Sequence, residues 1–153
     1  MFECIIEIPL GSRMKYEVNE SNELFLDRVL PRGCVFPGNY GFIPNTLAGD
    51  GDPLDVLIIT DYPIQSLCRV RCRTVGVLLM SDEKGLDEKV LAVPIADDTY
   101  KNVEDITDVS ERTLQEIKMF FKTYKLLENK KWTHVEGYEN SDFARKMIQK
   151  YRL

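Results

Sequence analysis

The chain has 153 residues, with 25 acidic and 20 basic side chains and a net charge of −5. Its length fits one domain over 1–153 with its own core, and 44% apolar with 29% charged residues excludes wholesale disorder. The acidic balance argues against a nucleic-acid or anionic-membrane partner, and no apolar run approaches the ~18 residues a spanning helix needs.

In chain order, MFECIIEIPL is apolar but broken by Glu3 and Glu7 and has no basic leader. It reads as a strand over 3–8 rather than a secretory signal, so the four cysteines are expected as reduced thiols in a cytoplasmic protein. Residues 14–18 and 24–29 form a hairpin pair across Asn19–Asn22. Residues 31–53 hold five Gly and four Pro and read as one long connection. A strand follows over 54–60. In 68–73 the pattern alternates, with Cys68, Val70 and Cys72 inward and Arg69, Arg71 and Arg73 outward. Residues 75–81 and 89–95 are further strands around a turn containing Gly85.

After residue 100 the period becomes helical. Asp108 and Glu111 fit a capping box, and Leu114, Ile117, Phe121 and Tyr124 give a helix over about 110–128. A second helix, 141–151, is capped by Asn140 or Ser141 and places Phe143, Met147, Ile148 and Tyr151 on one face. Strands first and helices last imply a mainly β fold with flanking helices, a small closed barrel.

The charge is uneven along this frame. Residues 50–108 hold 13 acids, ten of them Asp, against six bases, a balance of −7. With only one histidine, His134, and cysteines mostly far apart, zinc sites and Ser-His or Cys-His machinery are poorly supplied. His134 reads as an ordinary structural or surface residue. Carboxylates bind hard cations such as Mg²⁺ or Mn²⁺, and two clusters of them stand out. In Asp50-Gly-Asp52-Pro-Leu-Asp55, a Gly/Pro turn followed by a strand start aims three carboxylates at one point. Asp82 and Asp87 flank the Gly85 turn; two carboxylates facing across it would repel by about 4 kcal/mol at 4 Å and a dielectric near 20, a cost that a bound cation removes. Lys89, two residues after Asp87, points from the same strand face. Five Asp from two loops are enough for a two-metal site acting on phosphoryl groups, which also needs fixed cations; Lys15, Arg28, Lys89 and Lys125 are candidates. A two-metal phosphoesterase or nuclease on organic phosphates and a non-catalytic OB-type binding module using the Arg69/Arg71/Arg73 stripe stay open on the residues alone.

The run Asp-Gly-Asp-Pro-Leu-Asp-Val over 50–56 resembles the signature of the soluble family I inorganic pyrophosphatases. The likeness extends in order through Ile6-Glu7-Ile8-Pro9, Lys15-Tyr16-Glu17, Asp27-Arg28, Asn39-Tyr40-Gly41-Phe42, Asp82…Asp87-x-Lys89, Phe120-Phe121…Tyr124-Lys125 and Val135-Glu136-Gly137. It implies an OB-like five-stranded barrel with two helices. It also implies Mg²⁺-dependent hydrolysis of pyrophosphate by direct attack of a metal-bridging water. By resemblance, Asp52 is general base or orienter and Tyr40 lies beside the attacking water. Asp50, Asp55 and Asp87 are similar to ligands of the activating metals. Asp82 and Glu7, with Asp87, look like ligands of the metal arriving with substrate, and Glu17 like a peripheral acid of the site. Lys15, Arg28, Lys89, Tyr124 and Lys125 look like phosphate-holding residues. Members of this length class form homo-oligomers, usually hexamers, with helix histidines where this chain has Met119 and Thr123; a hexamer is favoured, with trimer or dimer as alternatives.

Overall fold

The computed structural model describes residues 1–153. Nine strands and two helices follow in the order β1 (Phe2–Ile8), β2 (Met14–Val18), β3 (Leu24–Val29), β4 (Asn39–Phe42), β5 (Asp55–Ile58), β6 (Arg69–Asp82), β7 (Gly85–Leu86), β8 (Lys89–Pro94), α1 (Glu111–Thr123), β9 (Thr133–Asn140) and α2 (Ser141–Tyr151). Strands β1, β4, β5, β8 and β6 lie side by side in that order, and a direct β1–β6 pairing closes them into a ring. Every pairing in the ring is antiparallel except β5 with β8. This is the mainly β, five-stranded closed barrel with two helices expected from the sequence. The β2–β3 hairpin, also expected, is a separate two-stranded ribbon.

Strand β8 is buried on both faces because a different helix packs toward each face. Every residue of β8 is buried. Leu91 and Val93 join a cluster with Ile117, Phe120 and Phe121 of α1, whereas Val90 and Ala92 join another with Ala144, Met147 and Ile148 of α2. Such two-sided burial gives near-continuous apolar runs rather than alternation.

Several expectations are corrected. The two strands read at 68–73 and 75–81 are one strand, β6, with an irregularity between Thr74 and Gly76. Cys72 is buried, but Cys68 is exposed ahead of the strand. Arg73 is not a free outward charge: its Nε donates to Val103 O at 3.0 Å and its Nη2 to Tyr100 O at 2.5 Å. The long connection contains β4, paired on both sides by β1 and β5. Gly41 permits this, because a Cβ there would meet Ile5 O at 1.9 Å. Strand β9, unmarked in the sequence, pairs along β6.

Helix α1 starts at the Ser110 cap, whose Oγ accepts from Thr113 N at 3.1 Å. Asp108 instead closes a box with Asp105 on the preceding 3₁₀ turn. The helix ends at Thr123, five residues short of the pattern, because Leu126 and Leu127 are 73% and 78% exposed and no core lies beneath them. In α2, capped by Asn140, Phe143 is exposed and Ala144 takes its place in the core.

Candidate active site

The acids are set by a turn and by strand register. Gly51 at φ +87° allows a tight turn, in which Ala48 N donates to Asp52 O at 2.8 Å and Asp52 N to Asp50 Oδ1 at 3.1 Å. The chain then enters β5 at Asp55, and the parallel ladder sets Asp55 beside Lys89, the first residue of β8. Asp87, two residues earlier, sends its side chain to the same place. The Lys89 ammonium, 2% exposed, donates to Asp55 Oδ2, Asp87 Oδ1 and Tyr40 Oη, each at 2.7 Å. Carboxylate oxygens of Asp50, Asp55 and Asp87 lie within 4.8 Å of one another. Three hard oxygen donors at that spacing fit a divalent cation, and the Lys89 ammonium already occupies a cation's place between two of them. Asp52 is exposed in the same turn.

Asp82 and Asp87 do not face each other, contrary to expectation. The ladder pairs Asp82 with Gly85. Asp82 Oδ1 accepts from Lys84 N at 2.9 Å, and its Oδ2 from Lys125 Nζ at 3.0 Å. Like-charge repulsion is thus relieved by one lysine for each acid.

Burial works against ionised carboxylates here. It pushes Asp50 up to about 6, with Asp87, Asp55 and Asp52 adding to the rise against an N–H from Asp52. Glu7, on β1, is pushed up to about 7, chiefly by burial and partly offset by the N–H of Val18, which donates to its Oε2 at 2.8 Å. Burial alone would lower the Lys89 pKa, but Asp55, Tyr40 and Asp87 outweigh it and hold the ammonium well above its ordinary value.

The other cations come from separate elements. Lys15 on β2 and Arg28 on β3 are directly opposite in the ribbon register. Lys15 Nζ lies 2.9 Å from Glu17 Oε1 and 3.4 Å from Asp27 Oδ2. Arg28 pairs with Glu128. Lys125, freed by the early end of α1, reaches Asp82 and, at 3.6 Å, Glu83. Glu83, Asp27 and Glu128 were not foreseen as partners; the first two neighbour site residues in sequence, whereas Glu128 has no local signal.

Tyr40 and Tyr124 are buried in an aromatic cluster. Phe121 lies 6.0 Å from Tyr40 and 5.7 Å from Tyr124 between ring centroids. Burial raises both hydroxyls above the ordinary tyrosine value. The Lys125 ammonium lies 5.6 Å from the Tyr124 ring centroid, and the positive charges of Lys89 and Lys125 partly offset the rise at Tyr124. His134 is exposed on β9, opposite Ser81, and its ring has no hydrogen-bond or ion-pair partner in the site. Two arginines of the stripe are engaged, Arg69 by Glu3 at 2.8 Å and Arg73 by backbone carbonyls, which leaves Arg71 alone without a side-chain partner and weakens the case for a nucleic-acid-binding module.

No helix is long and apolar enough to cross a membrane. Among curated proteins, inorganic pyrophosphatase from Campylobacter jejuni is 47% identical over 150 residues, covering 96% of this chain and 87% of the relative. Inorganic pyrophosphatase from Helicobacter pylori is 50% identical over 149 residues, covering 95% and 86%. A solved structure of a Helicobacter pylori inorganic pyrophosphatase superposes with a TM-score of 0.95 at 49% identity, covering 97% of this chain and 89% of that one. The family model for inorganic pyrophosphatase matches residues 4–152, so the chain belongs to the inorganic pyrophosphatase family.

Proposed function

We propose that this chain hydrolyses inorganic pyrophosphate to two orthophosphates, with Mg²⁺ held by Asp50, Asp55 and Asp87. The observation that carries this reading is the meeting of three carboxylates within 4.8 Å with a buried ammonium, Lys89 Nζ, at 2.7 Å from two of them. An acid cluster alone would repel a diphosphate; cations alone would hold it without activating water.

When bound, divalent metal supplies charge neutralisation on the phosphates and a lowered pKa for water. Asp52, exposed in its turn, takes or orients the proton of the attacking water. Tyr40, fixed by Lys89 and the aromatic cluster, borders that water. Lys15, Arg28, Lys89, Tyr124 and Lys125 hold the phosphate oxygens and offset charge on the leaving group. By the same reading Asp82, Glu7 and Asp87 would hold metal that enters with substrate, which requires Asp82 to turn from Lys125, and Glu17 would stand at the edge. No covalent nucleophile is needed.

The test is phosphate release from pyrophosphate by purified protein with Mg²⁺, repeated with chelator. Release that chelator abolishes supports the reading; no Mg²⁺-dependent release from folded protein overturns it. The same reading makes the chain a cytoplasmic homo-oligomer, a hexamer first. Met119, 65% exposed on α1, lies on the expected contact helix, and sedimentation checks the assembly.

A further inference from the structure

We propose that Glu128 is a positioning residue: it fixes Arg28, and with it the phosphate-holding face of the β2–β3 ribbon, against the turn that carries Lys125. The inference rests on the reading of Arg28 as a phosphate-holding residue.

Three observations lead to it. First, the ribbon has no ladder to the barrel; its two strands pair only with each other. In β3 only Leu24 and Arg28 are even half-buried, and the four other residues are exposed. Burial of β3 is therefore confined to those two positions. On β2, the corresponding tie is the Glu7 carboxylate on Val18 N.

Second, the partner of Arg28 sits on the turn after α1. The Arg28 Nη1 forms an ion pair with Glu128 Oε1, with side chains 23% and 24% exposed. Asp27 is the other acid in range, at 3.8 Å from Nε, but it neighbours Arg28 on the same strand and cannot tie that strand to anything else. Glu128 N donates to Lys125 O at 3.0 Å. One short turn thus connects the cation that reaches Asp82 with the acid that reaches Arg28.

Third, the pair is left with spare capacity. Arg28 Nε and Glu128 Oε2 are buried and have no hydrogen-bond partner. Buried polar groups are normally satisfied, so such an exception calls for a reason. Glu128 engages Nη1, and the edge formed by Nε and Nη2 keeps two parallel donors of the kind that bind a phosphate bidentately. A carboxylate on Nη1 orients the fork without consuming that edge.

The experiment uses the full chain as Glu128→Ala, Glu128→Gln, Arg28→Ala and the Glu128→Ala/Arg28→Ala double variant. Amide exchange over 24–29 is measured alongside kcat and KM for pyrophosphate at saturating Mg²⁺. Glu128→Ala is expected to raise KM ~tenfold with kcat within about twofold, and to speed exchange in β3. Glu128→Gln, which can still accept from Nη1, restores most of the KM. In the Arg28→Ala background the second substitution adds less than about twofold, because the two act as one unit. Independent, multiplying effects overturn the inference, as does unchanged KM or unchanged exchange in Glu128→Ala. A wild-type chain that releases no phosphate sinks the functional reading and the substrate part of this one; exchange then decides whether Glu128 holds the ribbon.

Discussion

The barrel and the ribbon carry site residues by different means. In the barrel, Asp55 and Lys89 are neighbours because the β5–β8 ladder makes them so, and their surroundings are buried on both faces. In the ribbon, Lys15 and Arg28 are neighbours by ladder, yet the ribbon meets the rest of the fold through side chains: Tyr16 packed on the core, Glu7 to Val18 N, and Glu128 of the turn after α1 to Arg28. Backbone register fixes the carboxylate cluster; ion pairs on a half-exposed strand fix part of the cationic face of the ribbon. Damage to the cluster should therefore register in catalysis and stability, and damage to the ribbon mainly in substrate affinity.

The largest expected effect is at the turn that opens β5. Asp52→Asn should cut kcat by at least ~10²-fold, in the range of acid–base contributions, with an unchanged melting curve. Near-normal turnover removes Asp52 from its role. Next is Lys89→Met. Without metal it leaves Asp55 and Asp87 facing each other with no counter-charge, and removing one partner of a buried pair costs about 3–5 kcal/mol. The melting temperature of the metal-free variant should fall sharply, and Mg²⁺ should recover much of the loss. Equal destabilisation with and without Mg²⁺ argues against a cation-holding triad. Smaller again is Lys15→Met on the ribbon. Its ion pairs are partly solvated, so stability should change by less than about 1 kcal/mol, while KM for pyrophosphate rises several-fold. A stability loss as large as that of Lys89→Met erases the contrast between barrel and ribbon. The smallest effect is at His134, exposed on β9: His134→Ala should retain most activity and stability, and a total loss with the fold intact contradicts its exclusion from the chemistry.

Much of this was legible in the sequence where local chemistry dictates local structure. The Gly/Pro-bounded Asp50–Asp55 run announced the meeting of Asp50 and Asp55, although Asp87 and not Asp52 is the third carboxylate, and the two-residue offset of Asp87 and Lys89 placed them on one face. What was not legible depends on partners far along the chain. NYGF is a strand only because β1 and β5 flank it and Gly41 lets β1 approach. THVEGYEN carries charged residues and a Gly137 at φ +154°, and only pairing with β6 makes it β9. The helical pattern past Thr123 misled because periodicity cannot say whether a core lies beneath. Glu128 and Arg28 are separated by a hundred positions, and nothing in either neighbourhood announces the other.

The parallel β5–β8 pairing has a consequence for how this chain can vary. Side chains alternate along a strand, so an inserted or deleted residue within β5 or at the start of β8 turns every following side chain to the opposite face. Asp55 and Lys89 open their strands, so a ladder that re-forms one residue out of register parts the two and aims one of them at the opposite face. Length changes are consequently barred across 55–58 and 87–92, whereas the Asn19–Asn22 tip of the hairpin, exposed and without barrel pairing, has room for them.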